Sequence, residues 1–301
     1  DLEEANVIEF RLAKDWIVSE TPAISRVQKD KGLFRVGSTL MTGMMQQEPP
    51  VRDSIFKAIP MLTETFMPNH LLPHHVFNVS GYDSLYPEDY KEFTERVPKD
   101  SGFGQSRFFD LVNVRYLFTD NPQAGSRWQI LQKADFGVLC ENLTALPRFT
   151  LVGTAQTVEA RREILDTLFS VDFDPKQTVY LERQPEMGPW TRTNLAPAAK
   201  NKVLVEDYGI NQVRCRVFST RDQWFLTSEL YYPGWTATLD RKRVQIHRAN
   251  FCFRAVRVPP GESIVQWKYE PILFRIGSGV SLLTIIGLAM GLILRRRFRA
   301  S

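Results

Sequence analysis

Residues 231–256 read YYPGWTATLDRKRVQIHRANFCFRAV. Apolar and polar side chains alternate through much of this stretch, and Pro233-Gly234 interrupts it near its start. A period of two is typical of a β-strand with one buried face, and Pro-Gly is typical of a tight turn. The stretch therefore predicts short antiparallel strands joined by turns.

The same period extends over residues 198–271, which predicts an antiparallel meander of about six strands that forms a small β-sandwich. Residues 1–197 instead mix helical and strand patterns and end in a linker rich in proline and glycine. The predicted fold class is α+β. A membrane-distal mixed α/β domain (1–197) precedes the β-sandwich (198–271), and one transmembrane helix follows.

The membrane helix is predicted from residues 276–294, which are 19 consecutive uncharged residues followed by RRRFR. At a rise of about 1.5 Å per residue the stretch spans about 28 Å, close to the hydrocarbon thickness of a bilayer. A basic cluster after a span is typical of the cytoplasmic side. Residues 1–271 are therefore expected outside the cytoplasm, with residues 295–301 as a basic cytoplasmic tail.

Four arginines of that tail account for the whole formal net charge of +4. The rest of the chain has no general basic field, which argues against nucleic acid as a partner. The chain starts at Asp1 without a signal-peptide pattern, so we expect earlier transmembrane segments or a cleaved signal to carry it across the membrane.

Glycines of the span indicate its partners. Gly279, Gly287 and Gly291 fall on one side of the helix at multiples of four, and small residues there allow close helix–helix packing. The predicted partners are the lipid bilayer and other transmembrane helices. Because the β-sandwich leads into the span within a few residues, we also expect it to sit on the membrane surface.

Three cysteines, Cys140, Cys215 and Cys252, cannot all pair within the chain, and no CxxC occurs. Outside the cytoplasm a Cys215–Cys252 disulfide is allowed. The alternative, which we favour, is that all three are buried free thiols.

Aromatic and polar residues of the opening stretch are candidate ligand contacts. Tyr232 and Trp235 offer faces on which a sugar ring can stack, and Arg248 and Asn250 offer hydrogen bonds to its hydroxyls. The alternative, which we favour, is that Pro233-Gly234 makes a tight turn and the aromatic residues fill a small core.

Two further candidates lie upstream. Gly81-Tyr82-Asp83 falls in a proline-rich region expected to be a loop, so Tyr82 and Asp83 are candidate ligand contacts, with a structural Asx-turn as the alternative. Arg115 opens a buried strand and can bind a phosphate. Its alternative, which we favour, is an ion pair with a carboxylate such as Asp83 or Asp110.

Metal and cofactor chemistry is not predicted. His70, His74 and His75 lack an acidic partner at fixed spacing, and Pro73 breaks any helix that would align the first two. Asn78-Val79-Ser80 and Asn142-Leu143-Thr144 fit the glycosylation pattern only formally. GxSxG, P-loop and HExxH motifs are absent from the sequence.

Several short motifs, taken together, resemble the YfhO-type bacterial membrane proteins. They are Tyr231–Trp235, Asp240, Arg248-Ala249-Asn250, Phe253-Arg254, Pro259-x-Gly261 and Tyr269-x-Pro271, with Gly81-Tyr82-Asp83, Asn113–Leu117 and Leu146-Pro147-Arg148 upstream in the right order. The resemblance covers most of residues 75–295.

The resemblance implies a polytopic protein similar to C-type glycosyltransferases, which use lipid-phosphate-linked sugars on the outer face of the membrane. The catalytic carboxylates of such enzymes lie on loops between early transmembrane helices, so none is assigned to this chain. One departure stands out: the family's usual Asp-Gly is Asp240-Arg241 here. Because a type I′ turn requires positive φ at both positions, a longer loop through Arg241-Lys242 is expected.

The resulting functional prediction is an extracytoplasmic C-terminal part of a YfhO-like protein, which shapes the outer-face site of glycosyl transfer or binds the acceptor glycan. This chain alone is not expected to be catalytic. The alternative is a single-pass accessory subunit that has a structural role in a larger membrane complex.

Overall fold

The structure is a computed structural model that describes residues 20–40, 61–81, 87–96, 106–120, 127–158, 160–170, 172–183 and 200–300. Its described residues form a mixed α/β fold with several sheets and one long C-terminal helix, which confirms the predicted fold class. The helices are α1 (Pro22–Val27), α2 (Glu88–Glu95), α3 (Phe108–Leu111), α4 (Arg161–Leu168) and α5 (Ile272–Ala300). The strands are β1 (Arg35–Ser38), β2 (Val114–Thr119), β3 (Trp128–Ala134), β4 (Gly137–Asn142), β5 (Phe149–Val152), β6 (Thr154–Thr157), β7 (Thr178–Leu181), β8 (Lys202–Tyr208), β9 (Gln212–Ser219), β10 (Gln223–Leu230), β11 (Trp235–Leu239), β12 (Lys242–Val244), β13 (His247–Ala249), β14 (Phe253–Val258) and β15 (Gly261–Tyr269).

Two compact units divide the chain, and neither is a single continuous segment. The first comprises residues 1–186, 224–230 and 248–255, and the second comprises residues 187–223, 231–247 and 256–301. The predicted domain boundary at residue 197 lies outside the described residues and stays a prediction. Two stretches of the later chain nevertheless return to the first unit.

Three sheets are formed by the described strands. Their strand orders are β1-β2-β4-β3, β5-β10-β14-β13-β7-β6 and β12-β11-β15-β9-β8. The strands predicted over residues 198–271 are present, but their connection as one meander is wrong. The reason is non-local pairing, since β10, β13 and β14 share a sheet with β5, β6 and β7 from the earlier chain.

The first unit is built on aromatic packing. Phe93 of α2 is fully buried, and its ring lies 5.4–5.6 Å from the rings of Phe108, Phe169 and Phe253. Aromatic pairs at this separation add stabilisation beyond their buried area. This cluster places the start of β14 against α2 and α3.

The second unit shows the expected alternation. Along β9, Val213, Cys215 and Val217 are buried while the residues between them are partly exposed, and Val265 and Trp267 of β15 follow the same pattern. The five-stranded sheet therefore has one buried face and one face open to solvent. The three cysteines of the chain are buried free thiols, as favoured from the sequence.

The hairpin between β11 and β12 corrects the expectation of a longer loop. Leu239 pairs directly with Lys242, so Asp240 and Arg241 alone form the turn, at φ of 48° and 69°. The Asp240 side chain accepts a hydrogen bond from the Ile264 amide (2.9 Å), and the Asp240 amide donates to the Ile264 carbonyl (2.8 Å). These bonds to β15 hold a two-residue turn although Arg241 disfavours it.

Helix α5 has 29 residues, and its stretch Ile272–Gly291 is long and apolar enough to cross a membrane, with a mean hydropathy of 1.9 and no burial against the rest of the chain. The helix begins at Ile272, four residues before the predicted start of the span at 276. Pro271, which precedes it, is tolerated because the first turn of a helix needs no backbone donor there.

Candidate functional site

The residues predicted from the sequence as ligand contacts fall into separate places. Tyr82 and Asp83 lie outside the described residues. Arg115, Arg248 and Asn250 belong to the first compact unit, and Tyr232 and Trp235 belong to the second. The contacts that each described side chain makes within the chain determine whether it is available to bind a ligand.

Arg115 is half-exposed on β2 and makes ion pairs. Its side chain lies 3.0 Å from an oxygen of Asp30 and donates to Glu141 (3.2 Å). Pairing with carboxylates is thus confirmed, and the partners among the described residues are Asp30 and Glu141. Asp110 pairs with Arg127 instead, and Asp83 lies outside the described residues. Tyr116 also donates a hydrogen bond to Asp30 (3.0 Å). Burial of the phenol is the larger cause and this hydrogen bond the second cause that raise the pKa of Tyr116 to about 12.

Asp110 of α3 is the centre of a buried polar cluster. Arg127 and Asp110 form an ion pair, and Asp110 accepts hydrogen bonds from Asn142 (2.8 Å) and Thr144 (2.9 Å). Burial raises the pKa of Asp110, and these donors act in the opposite direction. The cluster joins α3 to the end of β4. Because neighbouring side chains already supply the hydrogen bonds and the counter-charge of the carboxylate, its role is structural.

The asparagine side chains of both glycosylation patterns make hydrogen bonds within the chain. The amide nitrogen of Asn142 is buried and donates to Asp110 and to the Val114 carbonyl (3.1 Å). The amide nitrogen of Asn78 donates to the Phe66 carbonyl (2.8 Å). In this structure neither nitrogen is presented to an enzyme that would modify it.

Arg248 of β13 takes part in a cluster of two arginines and two carboxylates. It pairs with Asp89 and lies 3.6 Å from Glu182. Arg161 of α4 completes the cluster by pairing with Asp89 and with Glu182 (2.7 Å), and its guanidinium lies 4.3 Å from the centre of the Phe251 ring. Sequence reasoning missed Arg161, because its carboxylate partners come from α2 and from the residue that follows β7.

Asn250 follows β13 and is 1% exposed. Its side-chain oxygen accepts from the Tyr180 amide (2.9 Å), and its own amide donates to the Tyr180 carbonyl (2.7 Å). These two hydrogen bonds extend the pairing of β13 with β7 by one residue beyond the end of β13. The Arg248-Ala249-Asn250 motif thus makes ion pairs and strand pairing within the first unit, and a role of Arg248 or Asn250 in binding a sugar stays a prediction.

A small pocket opens in the first unit beside Leu146-Pro147-Arg148. Its other walls include Leu226, Ser228 and Phe253. The Arg148 side chain is buried, lies 2.7 Å from Glu229 and covers the ring of Phe77 at 4.5 Å. The same Glu229 oxygen lies 3.2 Å from Arg35. Arg148 belongs to one of the motifs that carry the family resemblance. No sequence pattern points to Arg35 or Glu229 as its neighbours.

Trp235 begins β11 at a corner of the second unit. Its ring centre lies 5.4 Å from that of Tyr269, and the Glu270 amide donates to the Gly234 carbonyl (2.7 Å). Gly234 has φ of 100°, and a Cβ there would lie 2.9 Å from the Tyr269 ring and 3.2 Å from Pro271. The two motifs Pro233-Gly234-Trp235 and Tyr269-x-Pro271 therefore meet directly where the chain enters α5.

The open face of the five-stranded sheet is polar. Strand pairing puts Thr238, Gln266 and Arg214 in one row across three strands. Thr236, Lys268 and Gln212 form the next row. Arg214 is 2.7 Å from Glu206 of the edge strand β8. These rows present hydroxyl, amide and cationic groups to solvent, a surface suited to a hydroxyl-rich polymer.

The histidines do not gather into a metal site. His74 is buried, and burial lowers the pKa of His70. Within the ranges that the structure describes, no group of three or more His, Cys, Asp or Glu residues is arranged to hold a metal ion.

The glycines of α5 face open space. A Cβ added at Gly279, Gly287 or Gly291 would find, apart from the neighbouring backbone of α5 itself, no described atom within 4 Å. The chain itself therefore gives these glycines no packing role, and their use in packing against other helices stays a prediction.

Comparison with known proteins identifies one segment. Residues 192–281 match the model of a family described as bacterial membrane protein YfhO, which confirms the resemblance over this stretch. The matched segment includes the five-stranded sheet and the first turns of α5. No curated protein and no solved structure matches the chain.

Proposed function

We propose, from the match of residues 192–281 to the YfhO family, that this chain is the extracytoplasmic C-terminal part of a membrane protein that takes part in cell-envelope glycosyl transfer. Its role is to bind the acceptor glycan on the outer face of the membrane. The polar face of the five-stranded sheet, with its rows centred on Gln266 and Lys268, is the acceptor surface.

The observation that carries this proposal is the position of the polar face on the chain. Gln266 and Lys268 lie on β15, and the same strand reaches the apolar helix α5 through Glu270 and Pro271. A polymer bound on this face is therefore held close to the bilayer, where a lipid-linked sugar donor is available. Neutral hydroxyl and amide groups beside cations suit a polymer that carries both hydroxyls and phosphates.

The orientation follows from the charge of the helix end. Four arginines among residues 295–299 favour a cytoplasmic C-terminus, which leaves residues 1–271 outside. In this proposal the chain contributes binding and shape. The acid–base chemistry of sugar transfer belongs to other loops of the parent protein.

The test compares cell walls of the source bacterium after gene deletion and after complementation. The Thr238→Val/Gln266→Leu double variant removes hydrogen-bonding groups from the acceptor surface while it keeps side-chain size. Gln129→Leu, on the exposed side of β3, is the matched control. We measure sugar per repeat of each purified envelope polymer, with protein level followed by immunoblot.

We expect deletion to remove one sugar modification, the double variant to lower it several-fold at equal protein level, and the control to restore it fully. Unchanged sugar content in the deletion strain would exclude glycosyl transfer. Loss on deletion with full activity of the double variant would exclude this acceptor surface.

The alternative function is a structural accessory subunit, and the open glycine side of α5 favours it. In that case the chain packs through Gly279, Gly287 and Gly291 against helices of a larger membrane complex. Deletion would then leave every envelope sugar unchanged and lower the amount of a co-purifying membrane protein.

A further inference from the structure

The turn between β8 and β9 lies at the end of the five-stranded sheet from which α5 departs. Gln212, the first residue of β9, pairs with Lys268, and the Asn211 carbonyl accepts a hydrogen bond from the Tyr269 amide (2.9 Å). Tyr269 is the last residue of β15, and α5 begins at Ile272. The turn and the start of the apolar helix are therefore neighbours.

Ile210 occupies the tip of this turn and is 94% exposed, which makes it the most exposed of the large apolar side chains in the described residues. The turn is closed by a hydrogen bond from the Gly209 amide to the Gln212 carbonyl (2.8 Å). A closed turn presents its tip side chain in a defined direction. Among the described residues of the second unit, none covers this isoleucine.

Other apolar groups gather at the same end of the sheet. The first residues of α5, Ile272, Leu273 and Phe274, are each at least 65% exposed and begin the candidate membrane span. Tyr232 is 51% exposed, and the centre of the Trp235 ring lies 5.4 Å from that of Tyr269, the last residue of β15. Tyrosine and tryptophan are enriched where a membrane protein crosses from headgroups to water.

We propose that the turn Gly209–Asn211 is a second membrane contact, in which Ile210 inserts into the outer interface of the bilayer next to the point where α5 enters it. Two contacts on adjacent strands fix the tilt of the sheet relative to the membrane. A single helix joined to the sheet through Pro271 would leave that tilt free.

The bilayer is the occupant that the surroundings indicate, because Ile210, Tyr232 and the first residues of α5 are all exposed at this end of the sheet, and α5 continues into the candidate span. The polar groups at this end are compatible with the headgroup layer. The Glu270 carboxylate accepts from Thr236 (3.3 Å), and Asp207 accepts from Gln212 (2.9 Å). Arg275, in the first turn of α5, offers a cation to lipid phosphates. The inference depends on the membrane span and does not depend on glycosyl transfer.

The experiment uses the full chain in lipid vesicles. Ile210→Cys is labelled with an environment-sensitive fluorophore, and quenching by lipids brominated near the headgroup end of the acyl chain is measured. The native thiols are buried, so the unsubstituted chain gives the labelling background. Because Ile210 packs against almost nothing, its replacement removes few contacts.

Arg221→Cys is the matched control. It is exposed in the turn after β9, at the other end of the same strand, since Ser219 pairs with Gly261. Ser219 lies seven residue steps after Gln212, which is about 23 Å along a strand.

We expect a blue-shifted emission and at least three-fold stronger lipid quenching for the label at 210 than for the label at 221. Equal and weak quenching at both positions would overturn the proposal. Strong quenching at both would also overturn it, because the sheet would then lie flat on the membrane. Strong quenching at 221 alone would place the opposite end at the membrane.

Discussion

Asn250 and Tyr180 are joined by two hydrogen bonds that run in opposite directions. The Asn250 amide donates to the Tyr180 carbonyl (2.7 Å), and the Asn250 side-chain oxygen accepts from the Tyr180 amide (2.9 Å). Asn250 has φ of 44°, a left-handed conformation that asparagine tolerates better than most residues. The side chain therefore continues the sheet pairing at a point where the backbone has already turned away.

Replacing Asn250 should destabilise the first unit by two separable effects. Asn250→Gly keeps the backbone conformation but leaves the buried Tyr180 amide without its acceptor, at a cost of about 1–3 kcal/mol. Asn250→Ala adds the left-handed strain of about 1 kcal/mol. We therefore expect the order wild type, Gly, Ala in apparent Tm, measured by thermal unfolding in detergent. Equal Tm values for Gly and wild type would show that the Tyr180 bond contributes nothing.

The turn at Asp240-Arg241 predicts a stabilising substitution. Arg241 is exposed and has φ of 69°, so Arg241→Gly should relieve strain and raise the free energy of unfolding by about 0.5–1 kcal/mol. Lys242→Gly, one residue later inside β12, is the control and should destabilise by a similar amount. Denaturant unfolding of the two variants measures the difference. Destabilisation by both would mean that the Arg241 side chain makes a favourable contact.

The sequence predicted the positions of the strands better than it predicted which strands pair with each other. The alternation in β9 and β15 is visible because each strand has one buried face, as the burial of Val213 and Val265 shows. β10 is buried along most of its length, so its period does not reveal which sheet it joins. Pairing of sequence neighbours was the reasonable expectation, and β10 instead pairs with β5, more than 70 residues earlier.

The candidate site was predictable to the same degree. The sequence predicts Arg115 as a phosphate ligand or ion-pair partner and Arg248 as a ligand contact, but the pairing of these arginines with Asp30, Glu141 and Asp89 depends on the tertiary fold. The tight turn at Asp240 was missed for the same reason. Its supporting hydrogen bonds come from Ile264, 24 residues later.

Stability should fall at alkaline pH through buried thiols. Burial, with a contribution from Glu206, raises the pKa of Cys215 from 9.0 to about 12. Between these values the unfolded thiol is ionised and the folded thiol is protonated, so folding binds a proton. The free energy of unfolding should therefore fall as pH rises from 9 towards 12, by up to about 1.4 kcal/mol per pH unit for this group.

Cys215→Ala should make this slope shallower, because the variant has no thiol to ionise. Val217→Ala, two residues along the same buried face of β9, is the control and should lower stability at every pH while it keeps the slope. Denaturant unfolding between pH 8.5 and 10.5 gives both slopes. Tyr116 also has a raised pKa and contributes to each, so the difference between the two variants is the measured quantity.

Substitution of a glycine in α5 tests whether this helix packs against other transmembrane helices. Gly287→Leu adds a side chain where, apart from the neighbouring backbone of α5, no described atom lies within 4 Å of the new Cβ. If this side of α5 packs against other transmembrane helices, the variant should lose co-purifying membrane proteins several-fold, because small residues allow the close approach. Ala289→Leu is the control, since it lies about 200° around the helix from Gly287. Mild-detergent purification from native membranes, with quantitative mass spectrometry, compares the two. Equal recovery of partners with both variants would show that the glycine side faces lipid.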